Sequence, residues 1–582
     1  MPASLIENDS LLAIDVGTAT TRALLFDVVE GAYRFIASGQ APTTAEAPMK
    51  DVGEGVRMAI ETLQTVTGHN LLDADGRLIM PVQPDGQGVD SVAAAISAGP
   101  ALRTVIVGLL EEVSLTSARH LAETTYTSII ETLDMNDRRP QDEQIDSVIR
   151  ARPDLVIITG GTDEGASNSV QKALEAIGLT CYLMPVEKRP AVLFAGNQEL
   201  TEEVRSSLGK LSSKLRLSPN VRPSLDTEDL GPASKALAEL VPDIRKEQLK
   251  GVGELDSWAG GHLLPSAYGM GRIIRFLSQV YSKGILGVDV GASATAISAG
   301  FNGEHSVSVY PQFGVGEHVA GLLRYISLEH ITRWLLLDIA PDKVRDYLYQ
   351  QALYPTSIPA TKEDLAISQA LAREVLRLSL KAATSSFPPN EKALRHDLLP
   401  VFEMILAGGS PITNAPTFGQ SLLLLLDAVQ PVGVSTVVLD QNNLLSLLGV
   451  AAEKNNLIPV QVLESNAFVN LATVVSPIAS ASYGAPVVRA RLIPDSGNEV
   501  KVDVKHGNLE ILPLPANQMG QLALQPARRV DIGFGPGRSG AMRVVGGVLG
   551  VVIDARGRPL VLPEDPTRRR ELIKKWLWTV GG

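Results

Sequence analysis

The sequence has one cysteine, Cys181, in 582 residues. A single thiol excludes an intramolecular disulfide and any thiolate zinc or iron–sulfur centre, and a reducing compartment is the simplest expectation. Cys181 lies in the apolar run LTCYLMPV, where a buried structural thiol is expected rather than a nucleophile. Basic excess is also lacking. The formal net charge is −12, which argues against bulk nucleic-acid binding because that needs a basic face. The start, MPASLIENDS, has neither the basic flank nor the apolar centre of a signal peptide. The longest apolar runs, such as SLLLLLDAV at 421–429, are too short to span a bilayer. The expected location is the cytoplasm. The eight histidines show no HExxH or other metal-ligand spacing, and His318 and His330 read as ordinary surface or helix residues. No GxxxxGK(S/T) phosphate loop occurs.

What is present is a folded composition, 45% hydrophobic and 20% charged, in a chain long enough for three or four domains. The early sequence alternates strands and helices, which implies an α/β layer with a mixed or parallel sheet. LLAIDVG and TRALLFDVV read as a hairpin turning at GTAT, and VGEGVRMAIETLQTVTG (52–68) has helical periodicity. RTVIVGLL, PDLVIITGG and PAVLFAGN read as strands, and LTSARHLAETTYTSIIETLDM (115–135) as a helix opened by Thr116 or Ser117. Four segments are expected: an α/β lobe at 1–205, a helical connecting segment at 206–280, a second α/β lobe at 281–475 and a β-rich C-terminal module at 476–582.

Two motifs recur in the same order. LLAIDVGTATTRALLF (11–26) returns as ILGVDVGASATAISAG (285–300), so Asp15 and Gly17 match Asp289 and Gly291. IITGGTDEG (157–165) loosely matches ILAGGSPIT (405–413). Together they indicate a duplication of two α/β halves. A strand–Gly–hydroxyl–strand hairpin suits a phosphate. Glycine lets the backbone come close, successive N–H groups form an anion nest, and hydroxyls add donors. An aspartate at the strand end can hold Mg²⁺ through its waters. Two such hairpins could grip one polyphosphate from both sides.

These residues resemble the actin/Hsp70/sugar-kinase ATPase superfamily. By that resemblance Asp15, Gly17, Thr18, Thr20 and Thr21 form a first phosphate motif. Asp289, Gly291, Ser293 and Thr295 form a second, and Gly408, Gly409 and Ser410 an adenosine motif. The implied fold is a pair of duplicated actin-like (ribonuclease H-like) lobes. The implied cofactors are ATP and Mg²⁺, with Asp15 and Asp289 at the metal. The later motifs APTTAEAPMKDVGEG, RPDLVIITGGTDEG, PAVLFAGN, SPNVRPSL and LLPSAYGM resemble the glutamate mutase accessory proteins (MutL/GlmL) over roughly residues 9–455. That resemblance implies a nucleotide-driven chaperone for an adenosylcobalamin-dependent mutase. The alternatives are an actin-like scaffold of the FtsA or PilM type and a small-molecule kinase. Where the family's second motif reads roughly D-I-G-G-A-T-T-D, this chain has DVGASATA, with Ala292, Ala294 and Ala296 in place of a glycine, a threonine and an aspartate. The first motif has Ala19 where a hydroxyl is common and Arg22 where lysine is common. Nucleotide binding with slow hydrolysis is the expectation.

Asp163 and Glu164 follow the glycines of TGGTDEG and could orient an attacking water, although a helix N-cap is the simpler reading. Glu112 in GLLEEVSL is the rival base, and Asn197 is a cap or a ligand contact. GFGPGRSG (533–540) lacks the strand and helix of a dinucleotide site and reads as a turn. From Pro526 to Gly582 there are eleven Lys/Arg against five Asp/Glu, including Arg528, Arg529, Arg556, Arg558 and Arg568 to Arg570, with Trp576 and Trp578 beside Lys574 and Lys575. This basic stretch either docks on the chain's own acidic lobes or recruits an acidic client protein or, through RRRELIKKWLW, anionic lipid. The oligomeric state is left open.

Overall fold

The computed structural model describes residues 9–163, 165, 167–388 and 398–582. The chain forms two units. One gathers Met1–Gly269, Val307–Pro311 and Ser446–Gln461; the other gathers Met270–Ser306, Gln312–Leu445 and Val462–Gly582. No described helix is long and apolar enough to cross a membrane.

The first unit begins with the strands β1 (Leu11–Val16), β2 (Thr20–Val29), β3 (Ala32–Pro42) and β4 (Ser91–Ile96). β1 is buried along its whole length, which is why it reads as an unbroken apolar run rather than an alternating one. It pairs antiparallel with β2 and parallel with β4. The helix Val52–Thr67 packs on this layer through Val52, Val56, Ala59, Ile60 and Leu63, a single stripe. Asp51 caps its start by accepting from Gly53 N, and Gly68, at φ 69°, closes its end.

A second sheet is inserted before the first is complete. β5 (Leu102–Val107), β6 (Thr127–Leu133), β7 (Leu155–Ile158), β8 (Ala191–Phe194) and β9 (Leu215–Leu217) pair in the order β6-β5-β7-β8-β9, all parallel. The chain then returns through β10 (Leu264–Pro265), which pairs with β4 and gives the first sheet the order β10-β4-β1-β2-β3. Two sequence expectations are corrected here. The helix expected across 115–135 stops at Ala122, and Thr127–Leu133 is strand β6. Its threonines and isoleucines favour a pleated surface once β5 is there to pair with. The strand of IITGGTDEG is β7, in the inserted sheet, so it is not the counterpart of ILAGG.

β11 (Ile285–Val290), β12 (Thr295–Phe301), β14 (Met404–Gly408) and β15 (Gly433–Leu439) of the second unit, together with β13 (Glu304–Tyr310), repeat the first layout. β11 is antiparallel to β12 and parallel to β14, and β14 is parallel to β15. The counterpart of β14 is therefore β4. The mixed α/β fold with two duplicated lobes is thus present in the strand order itself.

The remaining strands are β16 (Val469–Ser476), β17 (Pro486–Pro494), β18 (Val500–Lys505), β19 (Leu509–Leu512), β20 (Met519–Pro526), β21 (Gly540–Val545) and β22 (Val551–Asp554). β16, β22 and β19 extend the second unit's large sheet to β13-β12-β11-β14-β15-β16-β22-β19. β17, β18, β20 and β21 form a separate antiparallel sheet packed over Val475, Val551 and Ile553. The helix Pro566–Thr579 follows, capped by Asp565.

Charge fixes this C-terminal region in place. Asp427 accepts from Arg373 Nε at 2.8 Å and from Arg556 Nη1 at 2.6 Å. Arg556 also makes two bonds to Asp554, and Arg558 Nη2 reaches Asp554 Oδ2 at 2.6 Å. All five side chains are buried. Burial alone would raise the Asp554 carboxyl, but the two guanidiniums hold it well below the usual carboxylate range. Arg556 also lies 4.9 Å from the ring centre of the buried Trp576. Arg556 and Arg558 therefore offer no basic face to a partner. Cys181 is buried, and burial pushes its thiol up to about 11. Replacing Asp427 with alanine would leave Arg373 and Arg556 buried without their shared partner. Urea unfolding should then show a loss of roughly 3–5 kcal/mol, whereas a shift below about 1 kcal/mol would mean that this pairing does not hold the region together.

Candidate functional site

Each hairpin turn is closed by its glycine. Gly17 N donates to Thr20 O at 3.1 Å, and Gly291 N to Ala294 O at 2.9 Å. An added Cβ would come within 2.7 Å of Thr20 O at the first position and 2.9 Å of Ala294 O at the second, so neither tolerates a side chain. The loop after the third strand braces each turn. Thr43 Oγ1 donates to Gly17 O at 2.7 Å, while Val315 N and Gly316 N donate to Gly291 O and Ala292 O at 3.1 and 2.8 Å.

The structure sorts the expected hydroxyls. Thr21 and Thr295 are fully buried. Thr21 Oγ1 shares a hydrogen bond with Thr43 Oγ1 at 2.9 Å, and Thr295 Oγ1 donates to Phe313 O at 2.6 Å. Expected as ligand donors, both instead hold the loop behind the turn. Thr18, Thr20 and Ser293 remain half-buried at the turns.

Asp15 and Asp289 occupy the same register position, each opposite the fourth strand, at Ala95 and Gly408 respectively. Asp15 is buried; its Oδ1 accepts from Ser266 Oγ at 2.8 Å, and Arg22 Nη1 stands 3.9 Å from Oδ2. Asp289 is half-buried, and a Cβ on Gly408 would lie 3.7 Å from its Oδ1. Gly409 has a φ of 94°, and a Cβ there would strike the Val290 backbone, so both its conformation and its surroundings require glycine. Ser410 is exposed as the first residue of the short helix Ser410–Thr413. Asp15, Gly17, Thr18, Thr20 and Thr21 are thus gathered at one turn. Asp289, Gly291, Ser293, Thr295, Gly408, Gly409 and Ser410 are gathered at the other.

Asp163 and Glu112 are not at either turn. They follow β7 and β5 of the inserted sheet. Asp163 Oδ1 accepts from Asn220 Nδ2 at 3.0 Å and Gln198 N at 3.2 Å, and Glu112 is exposed on the one-turn π-helix Glu111–Leu115. Glu164 lies outside the described residues. Asn197 is a cap, accepting from Glu199 N at 3.0 Å. Sequence reasoning missed Thr43 and Ser266, although both stand in quoted motifs, APTTAEAP and LLPSAYGM. It also missed a cluster joining the helix Thr116–Ala122 to Glu228. Ser117 Oγ donates to Glu228 Oε1 at 2.6 Å, Arg222 Nε donates to Ser117 Oγ at 2.7 Å, and His120 Nδ1 lies 3.2 Å from Glu228 Oε2.

The donor set fits Mg²⁺ with a polyphosphate. Among the described residues no three His, Cys, Asp or Glu side chains are grouped to hold a metal ion. Magnesium does not require such a cage, since it keeps waters and takes one or two carboxylates plus phosphate oxygens. Arg22 Nε is buried without a hydrogen-bond partner, and an anionic oxygen at the first turn is the kind of acceptor it lacks.

A protein-family model described as MutL protein matches residues 11–467. The chain is 22% identical over 306 residues to Protein MutL of Clostridium tetanomorphum, a match covering 51% of this chain and 59% of that relative. A glycerol dehydratase reactivase structure is 12% identical with a TM-score of 0.29, covering 77% of this chain and all of that one. The ethanolamine utilization protein EutJ from Carboxydothermus hydrogenoformans is 10% identical with a TM-score of 0.26, covering 77% and 90%. At these scores neither structure adds to the argument from strand order.

Two measurements check this geometry. Thr295→Val should cost about 1–3 kcal/mol in urea unfolding, because the buried hydrogen bond from Thr295 to Phe313 O is lost; a neutral result would return Thr295 to the ligand face. The second follows from the hydrogen bond to Glu228, which raises the His120 pKa against the opposing effect of burial. Burial would raise Glu228, but its bonds to His120 and Ser117 keep it low. The raised histidine stabilises the fold below its ordinary value and loses that contribution as pH rises through the folded value; the lowered glutamate contributes above its ordinary value. The stability gap between wild type and Glu228→Gln should therefore be widest between about pH 5 and 6.5 and narrow towards pH 8. A gap independent of pH would show that His120 stays neutral.

Proposed function

Because the chain belongs to the MutL protein family, we propose that it is an ATP-binding accessory protein that assists or reactivates a client enzyme, an adenosylcobalamin-dependent mutase or one like it. The observation that carries this reading is the repeated Asp–Gly hairpin, one in each unit, at the same register position of the same strand order. In this reading the glycine turns, with Thr18, Thr20 and Ser293, bind phosphate oxygens. Gly408, Gly409 and Ser410 lie against the nucleoside. Asp15 in its unit and Asp289 in its own each stand where a carboxylate can meet the water shell of Mg²⁺, which would supply charge neutralisation of phosphates when bound.

Fast hydrolysis is not part of the proposal. Asp289 pairs across the hairpin with Ala296 and Asp15 with Arg22, so neither turn offers a second carboxylate at that place. Asp163 remains the candidate for orienting water, although its Oδ1 is already engaged. The reading describes a nucleotide switch whose bound state, rather than its turnover rate, matters to the client.

Calorimetry should detect adenine nucleotide binding by the full chain, and Asp15→Ala should weaken Mg·ATP binding about tenfold or more, equivalent to about 1.4 kcal/mol. Phosphate release should run well below the roughly 1–10³ per second of typical enzymes. Absence of binding at millimolar nucleotide would end the proposal, and turnover of tens per second without a client would replace it with a true ATPase.

A further inference from the structure

The motif LLPSAYGM places a hydroxyl on the first metal carboxylate. Asp15 on β1 is level with Ala95 on β4, and Ala95 is level with Leu264 on β10. Three neighbouring strands thus put Ser266, two residues past Leu264, just beyond the carboxyl edge where Asp15 stands. Ser266 opens the helix Ser266–Tyr281, and its Oγ donates to Asp15 Oδ1 at 2.8 Å across 251 residues of sequence. Ser266 is 3% exposed and Asp15 2%. The other carboxylate oxygen is 3.9 Å from Arg22 Nη1, beyond hydrogen-bond length. One oxygen is tied by a short directional bond, while the arginine acts only at a distance.

We propose that Ser266 is a positioning residue that fixes the rotation of the Asp15 carboxylate, so that Asp15 meets the water shell of Mg²⁺ in one orientation. This rests on the nucleotide-binding reading above. Ser266 does not touch the nucleotide in this account. Its effect is on metal-dependent binding alone, through the carboxylate it holds.

The test is calorimetric titration of the full chain with ATP, once in Mg²⁺ and once in EDTA. Ser266→Ala should raise the Kd for Mg·ATP about fivefold or more and raise the Mg²⁺ concentration for half-saturation, while leaving metal-free ATP binding as in wild type. Ser266→Thr, which keeps the hydroxyl, should bind like wild type. Ser266→Cys, which keeps the volume with a weak donor, should behave like alanine and carries the comparison if alanine fails to fold. Equal losses with and without metal, no loss, or a threonine variant as weak as alanine would overturn the proposal. A wild type that binds Mg·ATP beside an unaffected Ser266→Ala refutes only the positioning role. A wild type that binds no adenine nucleotide refutes the function as well.

Discussion

Each candidate aspartate stands where one strand has an antiparallel neighbour on one side and a parallel neighbour on the other. That constraint organises both sites. The antiparallel partner requires a tight turn at the carboxyl end of the first strand. The parallel partner brings its own carboxyl end, and the loop after it, to the same edge. In β1 and β11 the turn, the fourth strand's exit and the residue after the fifth strand therefore converge at one edge. Open α/β sheets bind ligands outside their carboxyl ends for this reason. The glycines and the buried threonines are secondary to it: they make a turn forced by topology narrow and stiff.

The local parts of this arrangement were legible in the sequence. A six-residue apolar strand, a glycine and hydroxyls can be read without knowing any partner, and the helix at 52–67 announces itself with Asp51 and Gly68. The pairing was not legible. PDLVIITGG has the local spelling of ILAGG, but strand neighbours are chosen by the whole chain, and β7 went to the inserted sheet. Its true equivalent, SVAAAISAG, is rich in alanine, which has little preference for strands. The roles within a motif were half legible. Alternation along a strand implies that Thr20 and Thr21 face opposite sides, so only one of them could meet a ligand. Ser266 lay in a quoted motif, but nothing local connects it to a residue 251 positions earlier.

Charge was the least legible quantity. The C-terminal stretch is basic by count, yet Arg556 and Arg558 lie inside the fold, matched to Asp554 and Asp427. A window of sequence reports formal charge and says nothing of where its compensation lies. Here the compensation came from the window itself and from a helix over a hundred residues earlier. Trp576 followed the same logic, buried against Arg556 with its Nε1 donating to Gly507 O at 2.9 Å. Trp578, two residues on, remains 69% exposed.

The distance between Asp427 and Arg556 has a consequence for biosynthesis. A ribosome delivers the helix carrying Asp427 long before the arginine that completes its pairing, 129 residues later. At about 5–20 residues per second, that interval is on the order of ten seconds. During it, the Asp427 carboxylate has Arg373 alone, and β16 lacks β22, the strand that will lie parallel to it. The second unit's sheet therefore lacks that strand until residue 554 has been made, which leaves the edge of β16 open over the same interval.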